Sequence, residues 1–170
     1  MFCVFKRICL PAGSSFGWST FRNNIIVWVL CMEKVMKILV IDAQGGGIGK
    51  QLVAAIKQNI PNAVVTAVGT NSTATAAMLK AGADYAATGE NAVVVGCRNA
   101  DIIVGPIGMV IADALFGEIT PRMARAIGQS KAKRIMVPLS HCDNIVVGVA
   151  NLSISAMVQE VVKTIIQFDT

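Results

Sequence analysis

The chain has 170 residues, of which 54% are hydrophobic and 15% are charged, with a formal net charge of +5. An average soluble domain carries roughly 25% charged residues, so this composition argues against disorder and predicts one domain with a large apolar core. The five cysteines include no CxxC pair, and His141 is the single histidine. These counts argue against a disulfide framework and a zinc centre, so no metal site is expected.

The first 35 residues differ from the rest of the chain. They hold six of the nine aromatic residues, three of the five cysteines and most of the net positive charge. Their apolar run at residues 25–32 is too short to span a bilayer and lacks a signal-peptide cleavage site. We expect residues 1–35 to be a non-native leader from a mis-annotated start, with the true start at Met36. A cytoplasmic protein without membrane or nucleic-acid partners is then expected.

From Met36 onward, strand patterns alternate with helix patterns. Continuous apolar runs predict buried parallel strands, and apolar residues spaced three and four apart predict amphipathic helices. The predicted strands are 37–43, 63–69, 83–88, 101–105 and 133–139, with a sixth at 145–149. The predicted helices are 50–60, 73–81, 91–99, 109–116, 120–129 and 153–167. This order predicts an α/β fold: a single Rossmann-like three-layer domain, residues 36–170, with a mostly parallel sheet of five to six strands.

The strongest chemical signal is a glycine-rich loop between the first strand and the first helix. Its sequence is Gly45-Gly46-Gly47-Ile48-Gly49-Lys50. Free N–H groups at a helix start favour an anion, and glycine lets a phosphate approach the backbone. The loop fits the dinucleotide pattern GxGxxG except at Lys50, and Gln51 replaces the Mg²⁺-binding hydroxyl of a Walker A loop. We expect a phosphate cradle, with a tight packing turn as the alternative.

Two further segments follow predicted strands. After the second strand, an NAD site has an Asp or Glu for the ribose hydroxyls, whereas this chain has the uncharged Thr70-Asn71-Ser72. NADP is therefore slightly favoured over NAD, a mononucleotide or phosphorylated metabolite stays open, and plain helix capping is the alternative. After the fourth strand, Gly105 and Gly108 are expected to line the crevice beside the glycine-rich loop in a 3-2-1-4-5 sheet, or to form a tight turn.

The carboxylates near these loops are weak candidates for catalysis. Asp42 ends the first strand and would bind a ribose, a metal or a proton, or accept hydrogen bonds from the loop. Glu90 follows the third strand and is the better general-base candidate, although a Glu is favourable at any helix start. Asp113 and Glu118 are candidates to face the crevice. The segment Ser140-His141-Cys142-Asp143 is expected to be a polar turn.

A basic stretch lies near the fifth strand. It comprises Arg122, Arg125, Lys131, Lys133 and Arg134. A solvated helix face is expected there, with a site for an acidic ligand as the alternative.

Four segments resemble a family of small bacterial proteins known as a domain of unknown function. They are MKILVIDAQGGGIGKQ, GTNSTATAAMLKAGAD, ATGENAVVV and ADIIVGPIGMVIADALFGEIT. The resemblance covers about residues 36–155. It implies a Rossmann-like fold and a start near Met36, and it implies no particular activity.

These observations predict a small Rossmann-like protein that binds a nucleotide, dinucleotide or phosphorylated metabolite at Gly45–Lys50. Residues 36–170 leave no room for a separate substrate domain, so a sensor or accessory subunit is favoured. The first alternative is a minimal enzyme, an NADP-linked oxidoreductase with a crevice at a subunit interface. The second is a structural or interaction module without a ligand. Low charge and the apolar stretch Met109–Phe116 predict a homo-oligomer.

Overall fold

The computed structural model describes residues 35–139, 145–149 and 152–168, all within the unit Val35–Thr170. The strands are β1 (Lys37–Asp42), β2 (Val64–Gly69), β3 (Tyr85–Thr88), β4 (Ile102–Pro106) and β5 (Lys133–Val137). The helices are α1 (Gly47–Asn59), α2 (Ser72–Lys80), α3 (Glu90–Asn99), α4 (Pro121–Gln129) and α5 (Ile154–Gln167), with a 3-10 helix at Ile107–Val110. Residues 1–34 of the expected leader and the expected polar turn at 140–143 lie outside the described residues. Both stay predictions.

The strands form one sheet in the order β3-β2-β1-β4-β5, and every neighbouring pair is parallel. The central strand β1 is buried from Ile38 to Asp42, as a strand covered on both faces should be. The chain winds outward from β1 through β2 to β3, and then from β4 to β5, so the order reverses between β1 and β4. The predicted α/β class and the predicted strand order are confirmed.

Helices cover both faces of the sheet. Ile38 and Val40 face one core, which they share with α1, α2 and α5. Leu39 and Ile41 face the other core, which they share with α3, the 3-10 helix and α4. Large side chains in the two cores are Leu52, Ile56, Met78 and Ile165 in the first and Val93, Met109, Met123 and Ile127 in the second. The period-two alternation of β1 therefore builds the three expected layers.

The candidate sixth strand is wrong, whereas the predicted sheet of five to six strands is confirmed. Residues 145–149 are exposed and form no strand, so the described sheet has five strands. Ile145 and Val147 are each 92% exposed. Their β-branched side chains favour a strand locally, but no neighbouring strand covers them.

The helix predicted at residues 109–116 is also wrong. The 3-10 helix ends at Val110, and a loop of residues 111–119 follows. Asp113, Leu115 and Phe116 have φ values of 61°, 56° and 58°, a left-handed conformation that a right-handed helix excludes. The loop folds back on itself, because the Asp113 N–H donates to the Ile119 carbonyl oxygen at 2.7 Å.

Candidate functional site

The glycine-rich loop joins β1 to α1 at the carboxyl edge of the sheet, and packing requires two of its glycines. A Cβ on Gly46 would lie 2.8 Å from the Cα of Ala74 on α2. A Cβ on Gly49 would lie 2.7 Å from the Cβ of Asp42. These two glycines let α1 approach α2 and β1 closely, which is the packing role that the tight-turn alternative assigns to the loop.

Packing does not explain the other two glycines of the loop. Gly45 and Gly47 are exposed, and a Cβ on either would meet nothing within 4 Å. Among the described residues, no group accepts a hydrogen bond from either backbone N–H. Lys50 is exposed in the first turn of α1. The loop therefore presents open space, free donors and a nearby cation on its outer side.

Asp42 lies beneath the loop and is 5% exposed. Its Oδ1 accepts from the Ala43 N–H at 2.8 Å, and its Oδ2 accepts from the Gly49 N–H at 2.6 Å. Burial raises the pKa of this carboxyl above its ordinary value, although the loop N–H groups act in the opposite direction. Both oxygens accept from backbone N–H groups, one of them in the glycine-rich loop, which favours the hydrogen-bonding role of Asp42 over the catalytic one.

Glu118 reaches from the loop of residues 111–119 to the ends of β1 and β2. Its Oε2 accepts from the Gln44 N–H at 3.0 Å, from Thr70 Oγ1 at 2.5 Å and from Asn71 Nδ2 at 3.1 Å. Burial acts to raise the pKa of this carboxyl, but the three hydrogen bonds outweigh it and hold the pKa below its ordinary value. Glu118 is therefore an ionised group beside the glycine-rich loop.

The segment after β2 performs the capping role and also contacts the loop. Asn71 Oδ1 accepts from the Ala74 N–H at 2.9 Å and so caps α2. Asn71 Nδ2 donates to the Gln44 carbonyl oxygen at 2.9 Å. Thr70 is half-buried at the end of β2, and Ser72 is exposed at the start of α2. Asn71 therefore performs the capping role, and the ligand-binding role of this segment stays a prediction.

Glu90 lies at the start of α3 and is bound by the start of α4. Thr120 Oγ1 donates to its Oε2 at 2.7 Å, and Arg122 Nη1 lies 3.0 Å from its Oε1. The hydrogen bond from Thr120, with the charge of Arg122, lowers the pKa of Glu90. A lowered pKa makes a carboxylate a weaker base, so these contacts favour the helix-start role of Glu90 over general-base catalysis.

The remaining predicted crevice residues come from the chain after β4. A Cβ on Gly105 would lie 2.5 Å from the Ile41 carbonyl oxygen, so this glycine brings β4 against β1. Gly108 is buried in the 3-10 helix. Asp113 is exposed, and its backbone N–H donates to the Ile119 carbonyl oxygen. Of Gly105, Gly108, Asp113 and Glu118, only Glu118 hydrogen-bonds next to the glycine-rich loop, through the N–H of Gln44.

A separate basic groove of about 600 Å³ lies between α3 and α4. Its lining carries four cations and no acid: Arg98, Arg122, Arg125 and Lys131. None of the residues predicted to bind a phosphate lines this groove. Part of the basic stretch predicted from the sequence therefore gathers at a second surface, where anions would also be attracted.

In the described ranges, the His, Cys, Asp and Glu side chains form no group of three or more that could hold a metal ion. No helix in those ranges has the length and apolar character needed to cross a membrane.

Comparison with known proteins gives a family match and a distant structural likeness. The sequence model of the family described as Domain of unknown function (DUF3842) matches residues 37–169. A solved structure of a dodecameric FMN-dependent UbiX-like decarboxylase from Escherichia coli O157:H7 is similar, with a TM-score of 0.41 and 17% sequence identity. That likeness covers 76% of this chain and 75% of the decarboxylase chain. No curated protein matches this sequence.

Proposed function

This chain belongs to the DUF3842 family, and we propose that it binds a nucleotide, dinucleotide or phosphorylated metabolite at Gly45–Lys50. The observation that carries the proposal is a contrast within one loop. Gly46 and Gly49 are needed for packing, whereas Gly45 and Gly47 face open space. A phosphate there would accept from the free N–H groups and face the positive end of the α1 dipole, with the Lys50 charge nearby.

The role we propose is that of a sensor or accessory subunit. Asp42 accepts hydrogen bonds from the Ala43 and Gly49 N–H groups, and Glu118 accepts from the Gln44 N–H beside the loop. Glu90 is held by Thr120 and Arg122. Carboxylates that are bound in this way support ligand binding better than proton transfer. The alternatives are a minimal NADP-linked oxidoreductase with its crevice at a subunit interface, and a structural module without a ligand.

Thermal unfolding of the full chain tests the proposal. NAD, NADP, ATP, GTP, FMN and coenzyme A are each added in large excess. A ligand at about 100 times its dissociation constant stabilises the fold by about 2.7 kcal/mol, which raises Tm by several degrees. Gly47→Val should abolish the shift, because its side chain fills the space in front of the loop. Gly128→Val is the matched control, since Gly128 on α4 also has nothing within 4 Å.

The outcomes separate the loop from the basic groove. A shift that is lost in Gly47→Val and kept in Gly128→Val supports the proposal. A shift that survives Gly47→Val but disappears in Arg98→Gln or Arg125→Gln would assign the anion to the groove and overturn the proposal. No shift with any of the six ligands would also count against it. Oxidation or reduction of a bound nicotinamide would favour the minimal enzyme.

A further inference from the structure

The end of β2 receives a carboxylate from a distant part of the chain. In a nucleotide site built on this strand order, the phosphates lie at the loop after β1 and the ribose lies over the end of β2, where an acid accepts its hydroxyls. The residues after β2 are Thr70-Asn71-Ser72 and include no acid. Glu118 occupies this place in space, because its Oε2 accepts from Thr70 and Asn71.

One oxygen of Glu118 stays open for a ligand. All three described donors, from Gln44, Thr70 and Asn71, bind Oε2. Among the described residues, no donor binds Oε1. Oε2 therefore holds the side chain in a fixed position beside Gln44, the residue before Gly45. Oε1 is available to a ligand.

We infer that Glu118 binds the ribose hydroxyls of the ligand and selects against a ribose that carries a 2′-phosphate. The inference rests on the proposed function, because it requires a nucleotide at Gly45–Lys50. The open Oε1 has two lone pairs and so accepts from vicinal hydroxyls, but the carboxylate charge repels a phosphate at the same distance. It therefore favours NAD over NADP, which reverses the slight preference drawn from the uncharged segment after β2.

The surroundings of Glu118 support this selection. Among the described residues, no Arg or Lys side chain hydrogen-bonds to Thr70, Asn71 or Glu118, so no cation neutralises the Glu118 carboxylate by direct contact. The neighbouring Ile119 is fully buried, and its carbonyl oxygen accepts from the Asp113 N–H. The loop thus holds Glu118 at the end of β2 and keeps it from turning away.

Calorimetric titration of the full chain with NAD and NADP tests the inference. We expect the wild-type protein to bind NAD at least about tenfold more tightly than NADP, a difference of about 1.4 kcal/mol. Glu118→Gln should bring the two dissociation constants close together, by weakening NAD binding and easing NADP binding. Glu160→Gln on α5 is the matched control, because it removes the same charge from an exposed glutamate paired with Lys163 and should leave the ratio unchanged.

The ratio of the NAD and NADP dissociation constants is measured on the wild-type protein, so the test holds even if a variant fails to fold. Equal or tighter binding of NADP by the wild-type protein overturns the inference, as does a ratio that Glu118→Gln leaves unchanged. In both cases the proposed function survives if Gly47→Val still abolishes binding. If neither dinucleotide binds but another ligand of the panel does, the inference fails alone. If nothing binds, both fail.

Discussion

Gly46 has a left-handed φ of 68° and also lies against α2, so two independent features require glycine at this position. We expect Gly46→Ala to destabilise the fold by about 1–3 kcal/mol, because its Cβ would collide with the Ala74 backbone. Gly45→Ala should change stability by less than about 0.5 kcal/mol, since its Cβ meets open space. Urea unfolding of both variants measures the difference, and equal losses would contradict the packing argument.

Glu118 makes the stability of the fold sensitive to acid. Its pKa is lower in the folded chain than its ordinary value of 4.5, since hydrogen bonds outweigh the opposing effect of burial. A carboxyl with a depressed folded-state pKa stabilises the fold above its unfolded pKa, and this contribution is lost as the pH falls through the folded value. We expect Glu118→Gln to be less stable than the wild type at about pH 7, with the difference shrinking towards about pH 3.

Urea unfolding of the two proteins at both pH values checks this expectation. Glu160→Gln again serves as the control, because Glu160 is exposed and its ion pair with Lys163 spans one turn of α5. A stability difference between Glu118→Gln and wild type that stays constant with pH would show that the charge of Glu118 is not what stabilises the loops.

Individual contacts of the site could be predicted only where the partners are close in sequence. Asp42 directly precedes the loop, and hydrogen bonds from the loop to its carboxylate were among the roles expected for it. Asp113 and Glu118 were equal candidates to face the crevice, and the bond that places Glu118, to the Gln44 N–H, joins residues 74 positions apart. No local pattern predicts such a contact, because it depends on how two loops fold towards each other.

At the scale of helices and strands, burial was predictable where both faces of an element are covered. The apolar runs of β1, β2 and β4 follow this rule, and their order along the chain predicted the sheet. The stretch Met109–Phe116 is an exception to this rule. Met109 is 1% exposed and Phe116 is 101% exposed, so apolar content alone did not indicate which residues turn inward. Asp113, Leu115 and Phe116 adopt left-handed conformations in this stretch. None of them is a glycine, the residue type that would have indicated such a conformation in the sequence.

Thr120 links the starts of two helices. Its Oγ1 accepts from the Met123 N–H at 3.2 Å, which caps α4, and donates to Glu90 on α3. We expect Thr120→Ala to cost about 1–2 kcal/mol of stability, because it removes the cap and leaves Glu90 without this partner. Ser153→Ala removes the cap of α5 and should cost about 1 kcal/mol. Urea unfolding compares the two, and a smaller loss for Thr120→Ala would contradict the link.

At the scale of the whole molecule, the carboxyl and amino edges of the sheet carry different kinds of contact. The glycine-rich loop, the segment after β2 and the loop of residues 111–119 all meet at the carboxyl edge. At the opposite edge, Lys57 forms an ion pair with Asp84 at 2.9 Å, and Asp84 also accepts from the Val65 N–H at 2.7 Å. Contacts that tie the elements together at this edge are thus separate from the proposed ligand site.

The predicted homo-oligomer is tested through Phe116. This side chain is fully exposed on the loop of residues 111–119, and an exposed aromatic ring favours a contact surface. Sedimentation velocity should give a mass above the 17.9 kDa of one chain. Phe116→Asn should lower that mass without unfolding the protein, since asparagine tolerates the left-handed φ of 58°. A wild-type monomer, or an unchanged mass in the variant, would contradict the proposed role of Phe116.

The separation of the two edges also has a practical use. The turn at Pro61 and Asn62, between α1 and β2, is exposed and lies at the edge opposite the glycine-rich loop. Exposed turns of this kind accept inserted chain. A peptide tag placed there would attach the protein to a surface by its ion-paired edge, so that immobilised copies would present the open loop to a flowing solution of ligands.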